Sequence, residues 1–123
     1  LGKKELSWKL YMEALSSDYV DIQGGTTAEG IHAGVMGSTL LFVIQSIAGI
    51  QFRDNHLTIN PNLPEGWKKL QFNFAFRKNY YIFEIFPDRI KVKLDSADNQ
   101  PVDIKISGKK CGIIPGEIVE VKF

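Results

Sequence analysis

The chain has 123 residues, 44% hydrophobic and 24% charged, which excludes whole-chain disorder and leaves room for one ordinary domain or a small domain with part of a neighbour. Lys plus Arg total 15 against 14 for Asp plus Glu, and the basic residues are scattered, so nothing argues for a nucleic-acid or anionic-membrane partner. One cysteine, Cys111, excludes an internal disulfide framework and fits a reducing, cytoplasmic setting, while the longest apolar stretch, Leu40 to Ile50, is too short and too interrupted to span a bilayer.

The first element reads as a helix over 3–16. Leu6, Leu10, Tyr11, Ala14 and Leu15 recur at helical spacing, with Lys3, Lys4, Glu5, Lys9 and Glu13 largely opposite. Ser16-Ser17-Asp18 ends the pattern, and Tyr19 to Gly25 connects to a second helix expected over 27–48. Thr26 followed three residues later by Glu29 matches a capping box, in which hydroxyl and carboxylate satisfy reciprocal orphan amides. Ile31, Val35, Met36, Leu40, Phe42, Val43, Ile44 and Ile47 carry this helix onward, and Gly49 suits a left-handed closing position. Gly30, Gly34 and Gly37 each cost about 1 kcal/mol relative to Ala in a helix interior, so a close neighbour or ligand is expected there. The helix is apolar on most of its circumference. It therefore calls for cover from a larger helical assembly, from the following domain or from a second copy in a homodimer.

From Gln51 the hydrophobic period changes to two. Leu57 and Ile59 form a short strand, stopped by the turn-rich run Asn60 to Gly66. Leu70, Phe72, Phe74 and Phe76 alternate with polar or small residues, a tight hairpin is expected at Lys78-Asn79, and Tyr80 to Phe86 continues as a strand. Ile90, Val92 and Leu94 form the next, then Val102, Ile104 and Ile106 up to Ser107-Gly108, with Ile113-Ile114 and Ile118 to Val121 supplying one or two more. Short strands at turn-separated intervals predict an antiparallel β-sandwich, and the fold class is α+β.

The feature with most chemical content is the loop into the second helix. Gly24 and Gly25 let the backbone approach a ligand, and Thr26, Thr27 and His32 stand beside a helix start whose amides favour an anion. The same residues also fit a purely structural role, with Thr26 and Glu29 capping and His32 packed. No Lys follows the glycines and no strand precedes them, so this is not a nucleotide phosphate loop. Two separated histidines, His32 and His56, without clustered cysteines argue against zinc. No local context supports a Ser-His-Asp triad. The aromatic run from Phe72 to Phe86 could stack on sugar but reads better as sandwich core, Trp67 as an anchor, and Cys111 as a small strand residue.

Residues Asp21 to Thr39, Asp-Ile-Gln-Gly-Gly-Thr-Thr-Ala-Glu-Gly-Ile-His-Ala-Gly-Val-Met-Gly-Ser-Thr, resemble the late signature of glycoside hydrolase family 65. Leu57 to Trp67 resembles that family's passage into its C-terminal β domain, so the likeness spans essentially the whole chain. It implies residues 1–50 as the last helices of an (α/α)6 catalytic barrel and 51–123 as the C-terminal sandwich. It also implies a parent enzyme that cleaves α-glucosidic disaccharides, by hydrolysis as in some members of the family or, as in its phosphorylases, by inverting phosphorolysis. In that chemistry a glutamic acid protonates the glycosidic oxygen while inorganic phosphate, a co-substrate rather than a cofactor, attacks the anomeric carbon. His32, with Gly24, Gly25, Thr26 and Thr27, would then lie beside the phosphate.

The resemblance puts the general acid upstream of this chain, so no catalytic residue is assigned within it. Position 1 is Leu rather than Met, with no signal pattern after it, and the chain is expected to be part of a longer protein that is inert when excised. Its implied partners are the preceding barrel portion and an α-glucoside; no metal is expected. The rival reading is a non-catalytic β-sandwich that binds carbohydrate or another protein.

Overall fold

The computed structural model describes residues 3–20, 30–53 and 56–123, which fall into two compact units, Leu1–Ile44 and Gln45–Phe123. The first contains helices α1 (Lys3–Ser16) and α2 (Ala33–Phe42). Helix α1 has the expected bounds and is built from good helix formers, yet none of its residues is buried. Its Lys9–Glu13 pair, 3.9 Å apart and solvent-exposed, adds little. Aromatic contact joins the two helices: Tyr11 stacks on Phe42 with centroids 5.0 Å apart and leans on Trp8 at 5.4 Å.

Helix α2 is shorter than its hydrophobic pattern predicts. Of the helix expected over 27–48, residues 27–29 lie outside the described residues; Gly30, with φ +98, and His32, extended at φ −77, ψ 94, are not helical, and α2 begins at Ala33. His32 is the N-cap, and its carbonyl accepts from Val35 and Met36 N–H at 2.9 and 3.1 Å. The capping pair Thr26 and Glu29 lies outside the described residues. Past Phe42 the helix widens into a π turn over Val43–Ile47. The close approach expected at the glycines is also absent: among the described residues, nothing lies within 4 Å of a Cβ built at Gly30, Gly34 or Gly37.

The second unit holds eight strands: β1 (Ile50–Arg53), β2 (His56–Ile59), β3 (Leu70–Phe76), β4 (Asn79–Ile85), β5 (Arg89–Ser96), β6 (Val102–Ile106), β7 (Lys109–Ile113) and β8 (Ile118–Lys122). They form two four-stranded sheets, ordered β1-β2-β6-β7 and β3-β4-β5-β8. Alternation in β2, β4, β5 and β6 buries one face of each. Leu57, Ile59, Ile104, Ile106 and Ile113 from the first sheet and Tyr81, Phe83, Ile85, Ile90, Val92 and Leu94 from the second make the core. The Phe72 to Phe86 stripe serves this core, with Phe72 opposite Phe83 in register and their rings 5.2 Å apart.

One pairing departs from the antiparallel expectation. Strand β2 runs parallel to β6, with Leu57 opposite Ile104 and Ile59 opposite Ile106. The chain leaves β2, builds β3 to β5 in the other sheet and returns, so no hairpin dictates the direction. The hairpin expected at Lys78-Asn79 sits one residue earlier. Arg77 and Lys78 both take left-handed φ, 50 and 63, as a two-residue turn between twisted strands requires.

Candidate functional site

The site is assembled where α1 ends and α2 begins. Ser16 and Ser17 turn their hydroxyls back onto the carbonyls of Met12 and Ala14, both at 2.8 Å, which competes with continued helix. The N–H groups of Tyr19 and Val20 then close onto Ser16 O at 2.9 and 2.8 Å, and this turn carries Asp18. Asp18 is one of two buried polar residues among those described, and its side chain is only 3% exposed.

Both carboxylate oxygens of Asp18 are used by one residue fourteen positions away. Oδ2 accepts the backbone N–H of His32 at 2.7 Å, and Oδ1 lies 2.9 Å from His32 Nδ1. The hydrogen bond from the ring is the main cause that holds the Asp18 carboxyl below its usual range; burial opposes it and the backbone N–H reinforces it. An ionised carboxylate can only accept, so Nδ1 carries the proton in this contact. The imidazole is 46% exposed and has Nε2 free of that contact. A carboxylate beside the start of α2 also complements the positive end of the helix.

This pair was not legible in the chain. The sequence marks His32 beside a helix start and Asp18 only as a helix stop, and no local spacing signal links residues 18 and 32. Of the other site residues expected from sequence, Gly24, Gly25, Thr26 and Thr27 lie outside the described residues. Elsewhere in the helical unit, Leu10, Tyr11, Ala14, Val35 and Phe42 line an apolar groove of about 450 Å³. Its lining offers no charged group to an anion. Among the described residues, no three His, Cys, Asp or Glu side chains converge as metal ligands, and no helix is long and apolar enough to cross a membrane.

Residues 50–112 match the model of the glycosyl hydrolase family 65 C-terminal domain, and the chain belongs to that family. It is 48% identical over 77 residues to the trehalose 6-phosphate phosphorylase of Lactococcus lactis, covering 63% of this chain and 10% of that protein. Against the alpha,alpha-trehalose phosphorylase of Geobacillus stearothermophilus it is 24% identical over all 123 residues, which span 16% of that enzyme. A solved human-microbiome protein described as a kojibiose phosphorylase superposes with a TM-score of 0.79 at 20% identity, over 94% of this chain and 15% of that one. That likeness concerns the fold alone. The chain thus corresponds to a small C-terminal region of family 65 disaccharide phosphorylases.

Proposed function

We propose that this chain is the C-terminal part of an enzyme that cleaves an α-glucosidic disaccharide by inverting phosphorolysis, with His32 contacting the attacking phosphate. Residues 1–50 would close the (α/α)6 catalytic barrel and 51–123 form its sandwich. The general acid lies in the upstream portion, so the chain alone has no activity. The observation that carries the reading is the fixed imidazole at the start of α2, its Nδ1 on Asp18 and its ring half-exposed. It falls in a segment alignable, through the whole chain, with a trehalose phosphorylase.

The chemistry fits those residues. Phosphate is already a nucleophile and needs no carboxylate base; it needs to be held, oriented and stripped of water. A helix start, glycines at 24 and 25 and hydroxyls at 26 and 27 supply donors suited to an oxyanion, and the His32 imidazole, its Nδ1–H held by Asp18, offers Nε2 to a P–OH. Leu6, Leu10, Met12, Leu40 and Leu41 are exposed on α1 and α2, and with the apolar groove they fit a surface covered by the rest of the barrel. The half-buried free thiol of Cys111 is compatible with the cytoplasm, where we place the enzyme.

The test is steady-state kinetics of the full-length polypeptide containing this chain, with phosphate varied at saturating disaccharide. His32→Ala is expected to raise the Michaelis constant for phosphate and lower turnover. Losing a hydrogen bond to a charged ligand is worth roughly 1.5–3 kcal/mol, or about ten- to a hundredfold. Unchanged phosphate dependence with a lowered melting temperature would return His32 to a packing role.

A further inference from the structure

We propose that Asp18 is the positioning residue of this site: it fixes the His32 ring and its tautomer, so that Nε2 is the atom that meets phosphate. The proposal rests on the reading of His32 given above and adds a residue and an atom to it.

Two contacts made by one carboxylate carry the inference. The 2.7 Å bond from the His32 N–H places the residue's backbone, and the 2.9 Å contact at Nδ1 sets the rotation of the ring. A side chain held at a single atom would still swing; one tied through backbone and ring by the same buried group does not. Asp18 is itself nearly sealed from solvent, whereas the imidazole is half-exposed, so a ligand can reach the ring but has little access to the carboxylate. Protonation follows from geometry. Because the carboxylate is acceptor-only, the neutral ring is the Nδ1–H form, and Nε2 presents a lone pair.

That lone pair decides how phosphate is taken. The P–OH of a phosphate monoanion donates to Nε2; if the proton crosses, the O–H bond breaks, an N–H bond forms, and phosphate dianion faces imidazolium. No bond to phosphorus or carbon changes. The ring then donates through Nδ1 to the carboxylate of Asp18 and through Nε2 to the dianion. Without Asp18 the ring would lose one of these two anions and its fixed orientation.

Asp18→Asn separates the possibilities because it keeps size and shape. Only one of the two terminal atoms of asparagine, the amide oxygen, accepts, and the backbone N–H of His32 requires it. The amide NH2 then faces Nδ1, which must become an acceptor, so the proton moves to Nε2. Ring 15N shifts of the neutral histidines report this directly. In the unaltered chain His32 is expected to be the Nδ1–H form, and in Asp18→Asn the Nε2–H form. Finding the Nε2–H form in the unaltered chain overturns the proposal, whether or not the variant folds.

Kinetics in the full-length polypeptide provide the second arm. Asp18→Asn is expected to raise the Michaelis constant for phosphate about tenfold or more while leaving that for the disaccharide unchanged. Asp18→Asn combined with His32→Ala should be no worse than His32→Ala alone, because Asp18 acts through the ring. Full additivity, or an unchanged phosphate dependence in Asp18→Asn while His32→Ala remains impaired, would overturn the role of Asp18 and leave His32 in place. If His32→Ala itself leaves phosphate use untouched, the underlying functional reading fails and this proposal fails with it.

Discussion

The backbone of Gly49 lies directly against that of Asn60: Asn60 N–H donates to Gly49 O at 3.0 Å, and a Cβ at position 49 would come within 1.9 Å of Asn60 O. A second bond, from Asn62 N–H to Ile47 O at 2.8 Å, continues the contact. Gly49 also has φ +69, in the left-handed region. Both constraints exclude a side chain, and the obstructing atom is backbone that cannot swing aside. Gly49→Ala should therefore cost more than about 3 kcal/mol, combining backbone strain with displacement of the Asn60 segment. Urea unfolding followed by near-ultraviolet circular dichroism would measure it; a loss below about 1 kcal/mol would contradict the packing.

Gly34 and Gly37 behave oppositely. They sit in α2 with ordinary helical φ, and among the described residues nothing obstructs a Cβ. Alanine at either position should stabilise the helical unit by about 0.5–1 kcal/mol, read from the thermal melt at 222 nm. In the full-length polypeptide the same changes report on neighbours outside this chain: destabilisation there would mean that another segment packs against these glycines.

The β3–β4 turn offers a third measurement. Arg77 and Lys78 occupy left-handed backbone at φ 50 and 63, a conformation unfavourable to residues with a Cβ. Lys78→Gly should relieve this strain and raise the stability of the sandwich by about 0.5–1 kcal/mol, less the extra entropy of an unfolded glycine. The denaturation midpoint should move upward with an unchanged slope.

Acid should weaken the Asp18–His32 contact in a defined direction. The folded carboxyl titrates below its unfolded value, chiefly because the His32 ring bonds it, so its contribution is present above the unfolded pKa. That contribution fades as pH falls through the folded pKa, at and below roughly pH 4. Glu84, held down by the 2.6 Å bond from Lys69, follows the same sign. Carboxyl 13C shifts recorded across that range should show Asp18 protonating at lower pH than an unpartnered aspartate. Titration at or above the ordinary value would contradict the pairing.

Much of the architecture is a local property of the chain. The change of hydrophobic period near Gly49 separates helices from strands, and the inward alternation at Leu70 to Phe76 and Ile90 to Leu94 appears directly in the structure. Such patterns are legible because a strand that buries one face alternates, whatever its neighbours are. Even the left-handed closure at Gly49 follows from its being glycine.

What tertiary structure alone decided depends on pairs distant in sequence. Helix α2 begins at Ala33, where Asp18 holds the N-cap residue His32 in an extended conformation from fourteen residues away. The parallel register of β2 on β6 likewise joins strands separated by three others, so no turn residue encodes its direction. The chain alone specified His32 as a polar side chain near a helix start. Only folding gave it a partner, because a hydrogen bond depends on where two groups lie in space and carries no periodicity along the sequence.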